Sequence, residues 1–165
     1  FWTIVLPENT VSTAFSIQNS AFQDIRTITG KAISPDAFPI IMYNNLRVLL
    51  LSLLLALFYG AGAVFILAWN ASIMGFVIGN LAKNMLGLTS LPQIFMKYFL
   101  HGIPEMLAYF TAALAGGILF ISLIKGDIKK ERTKRIFTDI FILILISIFL
   151  LFIAGFIETY ISPLI

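Results

Sequence analysis

Apolar residues fill long unbroken stretches of this chain, and polar residues gather in the gaps between them. Val48 to Trp69, Met106 to Ile124 and Ile140 to Ile157 each run without a charged residue. A helix needs roughly 20 residues to cross a hydrocarbon core of about 30 Å, so each run predicts a membrane span. Between the first two, Asn70 to Leu100 is less clear: Ala71 to Ala82 is uncharged, then come Lys83-Asn84 and Gly87. Ser90 with Gln93 three residues on, and Pro92 between them, reads as a capping box opening a second short helix. Residues 70–100 are therefore expected to form two half-helices broken near Lys83 to Thr89. A break at membrane depth is tolerated only where protein or water covers the exposed backbone, so this one is either functional or a wide interfacial loop, and 70–100 either crosses as a broken span or re-enters as a hairpin.

Ahead of the first span, residues 8–45 are polar enough for water or the membrane interface. Val11, Phe15, Phe22, Ile25 and Ile28 recur at helical spacings and predict one amphipathic helix that Gly30 ends. Ser34-Pro35-Asp36 then opens a second segment leading to Asn44-Asn45-Leu46-Arg47. Phe1 to Leu6 is apolar and reads as the tail of a first span. The expected fold is an all-α polytopic transmembrane bundle of about five spans or partial spans, with an amphipathic, external or interfacial N-terminal helix. It is a single membrane domain over 1–165, with membrane helices at 46–69, 70–100 (broken), 101–124 and 136–158.

Composition supports the membrane class, because 59% of the 165 residues are hydrophobic and 12% charged. A globule of this length leaves too much of its surface wet to hide so much apolar side chain. Without cysteine, thiolate metal sites, disulfides and a cysteine nucleophile are excluded. Residues 125–135 carry six of the eleven basic residues against two acidic ones. A short loop with that excess stays cytoplasmic, which places the C-terminus outside in a multi-pass cell-membrane protein. No aromatic residues interleave the cluster and two spans hem it in, so lipid rather than nucleic acid is the expected neighbour.

The remaining chemistry is sparse. His101 and Glu105 stand four apart, on one helix face, and that face continues through Ala108, Ala112, Ala115 and Gly116. On the last helix Ser147, Leu151, Ala154 and Glu158 repeat the spacing. Small-residue stripes let backbones approach, so the two faces are expected to pack and bring Glu105 near Glu158, with His101 or Arg47 as partners. His101, Glu105 and Glu158 together offer three ligands to a divalent metal, but the two-histidine HExxH spacing is absent. Gly75 and Gly79 form a GxxxG that close helix packing explains. Gly60-Ala61-Gly62 falls inside a span, without the strand and turn of a dinucleotide fingerprint.

Set out this way, Asn44-Asn45-Leu46-Arg47-Val48, Asn70 with Gly75 and Gly79, His101-Gly102-Ile103-Pro104-Glu105, Gly116-Gly117, Ile157-Glu158 and Ile161-Ser162-Pro163 resemble the stage II sporulation protein M family of integral membrane proteins. Ala71 departs from the resemblance, standing where glycine would follow the asparagine. The resemblance implies a helical membrane scaffold which, in spore formers, acts with peptidoglycan-degrading proteins during engulfment of the forespore. It implies no cofactor and no established chemistry. The expected function is a scaffold or assembly protein with a polar cluster of Asn44, Asn45, Arg47, His101, Gly102, Glu105, Glu158 and Pro163 at the outer membrane face. Gly75, Gly79, Ala108, Ala112, Gly116 and Ala154 are its expected packing positions. Cell-envelope proteins or further copies of the chain are its expected partners. A transporter or channel-like protein using the broken helix and the intramembrane acids, and a membrane-embedded metal-dependent hydrolase, are the alternatives.

Overall fold

The computed structural model describes residues 2–20, 23, 37–60, 63–84, 91–125 and 130–164. Among the described residues, the short helices α1 (Trp2–Val5) and α2 (Glu8–Ala14) and a helical stretch over 16–20 precede four long helices: α3 (Ala37–Tyr59), α4 (Ala63–Asn84), α5 (Leu91–Lys125) and α6 (Lys130–Phe156). α6 runs on into a π-helical turn, Ile157–Ile161, and a 3-10 turn, Ser162–Leu164. Four helices are long and apolar enough to cross a membrane, over Ala37–Tyr59, Ala63–Lys83, Pro92–Lys125 and Thr133–Leu164.

The span boundaries differ from the sequence reading at three places, each for a physical reason. The apolar run Val48–Trp69 is not one crossing, because Gly60 adopts φ +62° and ends α3 in the left-handed conformation open to glycine. The same charge-free run thus feeds two helices. Asn44 and Asn45, expected ahead of a helix at 46–69, consequently lie with Arg47 inside α3. The expected half-helix after Asn70 belongs to α4, a continuous 22-residue helix. The second half-helix is the start of α5, which continues for 35 residues through Gly102 and Pro104. Proline removes one backbone hydrogen bond, yet such positions are tolerated in membrane helices where neighbours cover the freed carbonyl. α5 opens at Leu91 with Pro92 in its first turn, while Ser90, the expected cap, lies outside the described residues.

The four long helices pack up, down, up, down. Leu49 of α3 clusters with Ala108, Tyr109 and Ala112 of α5 and Leu151 of α6. A side chain at Gly116 would collide with the Leu53 carbonyl and Ala56, and one at Gly60 would meet Phe120. α3 and α5 therefore ascend together. Gly155 of α6 faces Met42 and Phe38, and the Phe38 ring meets Phe152 edge-on at 5.3 Å, so α6 descends against both. α4 also descends, placing Met74 over Gly102. The most extensive contacts are α5 with α6 and α3 with α5.

The N-terminal stripe docks on the bundle. Val11 and Phe15 cover Phe76 and Val77 of α4, with the Phe15 and Phe76 rings stacked at 5.8 Å. Phe22, Ile25, Ile28, Gly30 and Ser34 to Asp36 lie outside the described residues, as does the break between Asn84 and Leu91.

Candidate functional site

Polar side chains collect where α3, α5 and the end of α6 meet. The buried face of α3 is Ala37, Ile41, Asn45, Leu49, Ser52 and Ala56, a helical repeat with one amide in it. Leu49 meets the Ala108–Ala112 turn, so Asn45, one turn earlier, stands level with Glu105. Asn45 is 5% exposed, and its side-chain nitrogen has no hydrogen-bond partner among the described residues.

On α5 the fully buried Tyr109 donates its hydroxyl to Glu105, one turn back, at 2.5 Å. Glu158, in the π-helical turn, interacts electrostatically with both Glu105 and Tyr109. π-Turns widen a helix by one residue per turn and recur at functional sites. Here the widening accompanies Thr159, whose hydroxyl donates to the Gly155 carbonyl at 2.7 Å. One turn below, the His101 ring pairs through Nδ1 with the Ser162 hydroxyl at 3.1 Å. Ser162 also reaches the Lys97 carbonyl. This pair ties α5 to the chain's last turn.

Of the residues singled out in the sequence, Asn45 stands level with Glu105, Glu105 interacts electrostatically with Glu158, and His101 is a turn away from Glu105. Arg47 does not join them, since it is exposed and its guanidinium lies 5.6 Å from the Tyr43 ring, a cation–π contact on the outer surface. Asn44 is half-buried and Pro163 exposed. His101 and Glu105 share a face without sharing a partner, because Ser162 takes one and Tyr109 the other. Among the described residues no group of three His, Cys, Asp or Glu side chains could hold a metal, so a His101, Glu105 and Glu158 ligand set is not assembled.

The packing residues divide. Ala108, Ala112 and Ala154 are buried, and the first two meet Leu151 of α6. Gly116 serves a different neighbour, the α3 backbone at Leu53. Gly79 lies directly under Thr3, and Gly102 under Met74, while Gly75 has nothing within 4 Å. Gly75 and Gly79 are thus not one helix-pairing motif inside the chain.

Sequence reasoning gave no site role to Tyr109 or Thr159, and included Ser162 only within the Ile161-Ser162-Pro163 resemblance. Tyr109 carried a signal, following Glu105 by four where a one-turn polar bond is expected, whereas the bond from Ser162 to His101 joins distant parts of the chain and left none.

The geometry predicts a thermodynamic coupling. Glu105→Gln and Glu158→Gln should each change stability in a detergent melt, and the double variant should depart from additivity by about 0.5 kcal/mol or more. His101→Ala, which has Ser162 as its partner, should add independently to either. Additive effects for the two carboxyl variants would show that Glu105 and Glu158 do not interact.

Comparison with known proteins agrees with this architecture. The sequence profile of the family described as Stage II sporulation protein M matches residues 1–163. An uncharacterised protein of the archaeon Methanocaldococcus jannaschii is 35% identical over 130 residues, covering 76% of this chain and 71% of that one. No solved structure matches significantly. With the match running through all four long helices and the polar cluster, this chain belongs to the stage II sporulation protein M family of integral membrane proteins.

Proposed function

We propose that the protein is a membrane scaffold, whose internal polar network fixes the arrangement of its helices and whose outer end presents a docking surface to cell-envelope partners. The observation carrying this reading is the tie from His101 to Ser162 and on to the Lys97 carbonyl. It uses polar groups to hold the C-terminal turn against α5, a static role. The transport alternative uses a broken 70–100 segment together with intramembrane acids, and the continuity of α4 and α5 through their spans weighs against the first of these. The basic segment 125–135 orients α5 and α6 with that segment in the cytoplasm. Four crossings then set both residues 8–20 and the C-terminal turn outside.

Two experiments test the reading. Because the chain has no cysteine, single cysteines at Asn9, Lys134 and Leu164, all exposed, report topology directly. In intact cells an impermeant thiol reagent should label Asn9→Cys and Leu164→Cys but spare Lys134→Cys; the reverse pattern inverts the orientation. For the role itself, a photo-crosslinking residue at Leu164, in cells of the native host, should give a discrete adduct with a second envelope protein. Absence of any adduct, together with ion flux in proteoliposomes, would replace the scaffold with a transporter.

A further inference from the structure

The outward side of α3 carries a single charge, and it stands in apolar surroundings. Arg47 is exposed, and the exposed side chains around it are Tyr43, Leu46, Leu50, Leu51 and Leu54. It lies near the middle of the Ala37–Tyr59 span, with its backbone about 15 Å from the Ala37 end at roughly 1.5 Å rise per residue. An ionised side chain facing lipid at such a position is costly, and it is retained where a counter-charge meets it.

The path of the side chain shows the side from which that counter-charge comes. Helical side chains lean toward the N-terminus of their helix, so Arg47 climbs toward the Ala37 end, where Phe38 stacks with Tyr160 at the close of the last span. Its guanidinium rests over the Tyr43 ring, 5.6 Å from the centroid. The charge is thus carried a turn nearer the bilayer surface, beside an aromatic ring of the kind that gathers at headgroup level. The ring face stabilises the cation but accepts none of the five N–H donors as an oxygen would. Among the described residues Arg47 has no other partner. The exposed residues of α3 from Tyr43 to Leu54 include no glycine, alanine or serine, the small residues through which membrane helices approach one another. This face is therefore shaped for lipid and not for a second helix.

We propose that Arg47, held over Tyr43, binds the phosphate of a membrane phospholipid in the leaflet at the Ala37 end of α3. The planar guanidinium donates two parallel N–H groups to two phosphate oxygens, a match that an ammonium cannot reproduce. The phosphate is drawn below its usual level, as bilayers thin locally around a lipid-facing arginine, and the acyl chains descend past Leu50, Leu51 and Leu54. The occupant is a lipid and not a soluble phosphate, because apolar side chains flank the guanidinium. The site shares no residue with the cluster around Glu105, so it depends neither on the scaffold reading nor on which face of the membrane the Ala37 end occupies.

The test is native mass spectrometry of the full chain in mild detergent, offered phosphatidylglycerol or the phosphate-free monogalactosyldiacylglycerol with identical acyl chains. The wild type should retain phosphatidylglycerol roughly tenfold over the galactolipid, the scale of one good charge-assisted contact. Arg47→Gln, a change on the lipid-facing surface that leaves the packed face of α3 alone, should lower phosphatidylglycerol retention several-fold. Arg47→Lys, which keeps the charge and loses the fork, should fall between the two. Lys134→Gln removes an equal charge from the exposed start of α6, at the other end of the bundle, and should change retention far less. Unchanged retention in Arg47→Gln, or equal losses in Arg47→Gln and Lys134→Gln, overturns the proposal. A photo-crosslinking residue at Leu50, in native membranes, should yield adducts of lipid mass; a discrete protein adduct there would give Arg47 to a partner helix and overturn it as well.

Discussion

Replacing Tyr109 by alanine is expected to lower the stability of the bundle by about 3 kcal/mol, at the lower end of the range for aromatic-to-alanine changes in a core. Tyr109 is fully buried and contacts Leu49, Ala108, Ala112 and Leu151, so the loss is one of packing at the junction of three helices. In lipid the displaced surface gains no water, and only dispersion and cavity terms are forfeited, which keeps the effect from being larger. Tyr109→Phe separates ring from hydroxyl. It keeps the packing and leaves Glu105 without its donor, which should cost about 1–3 kcal/mol, the penalty for an orphaned buried polar group. A thermal or denaturant melt in a fixed detergent measures both. A Tyr109→Phe variant as stable as the parent would show that Glu105 finds another donor, with the Asn45 amide level with it as the first candidate.

The second large effect belongs to Gly116. A Cβ there would overlap the Leu53 carbonyl of α3, a backbone group that cannot rotate away, so even alanine forces the two helices apart. Gly116→Leu should destabilise by about 1–3 kcal/mol, as overpacking does, with Gly116→Ala retaining a large part of the loss. Gly102→Ala should be milder, because its obstacle is the flexible end of Met74. Gly117→Ala, with nothing within 4 Å, should be neutral or stabilise by up to about 1 kcal/mol through helix propensity. The ranking, read from melts of the four variants, matters more than any one value. A silent Gly116→Leu would detach α3 from α5.

The class of this fold was legible from apolar run length alone, because a lipid-spanning helix has no other means of satisfying its backbone. The boundaries were not. Absence of charge marks where a chain can be in lipid, but not where a helix ends, and α3 ends at the left-handed Gly60 inside one charge-free run. Conversely, Asn44-Asn45-Leu46-Arg47 reads as an interface and lies inside α3, with Asn45 turned inward and Arg47 folded back over Tyr43. In the cluster, spacing placed Glu105 and Glu158 at one level because each closes a small-residue face. Which groups they bond depended on helix start points and on a π-turn, neither of which leaves a residue-type signature.

The turn at Gly60 also divides the molecule mechanically. α3, α5 and α6 interlock through Leu49, Tyr109, Leu151 and the Gly116 contact, whereas α4 has the smallest share of buried residues among the four spans and is the helix on which α1 and α2 dock. The protein is thus a rigid three-helix post with a satellite module, residues 2–20 and 63–84, joined at a glycine corner. Lateral stress in the bilayer, or a change of acyl-chain length, acts first on that satellite, since less packing holds it. The acids around Glu105 lie outside that satellite, within the interlocked α3, α5 and α6.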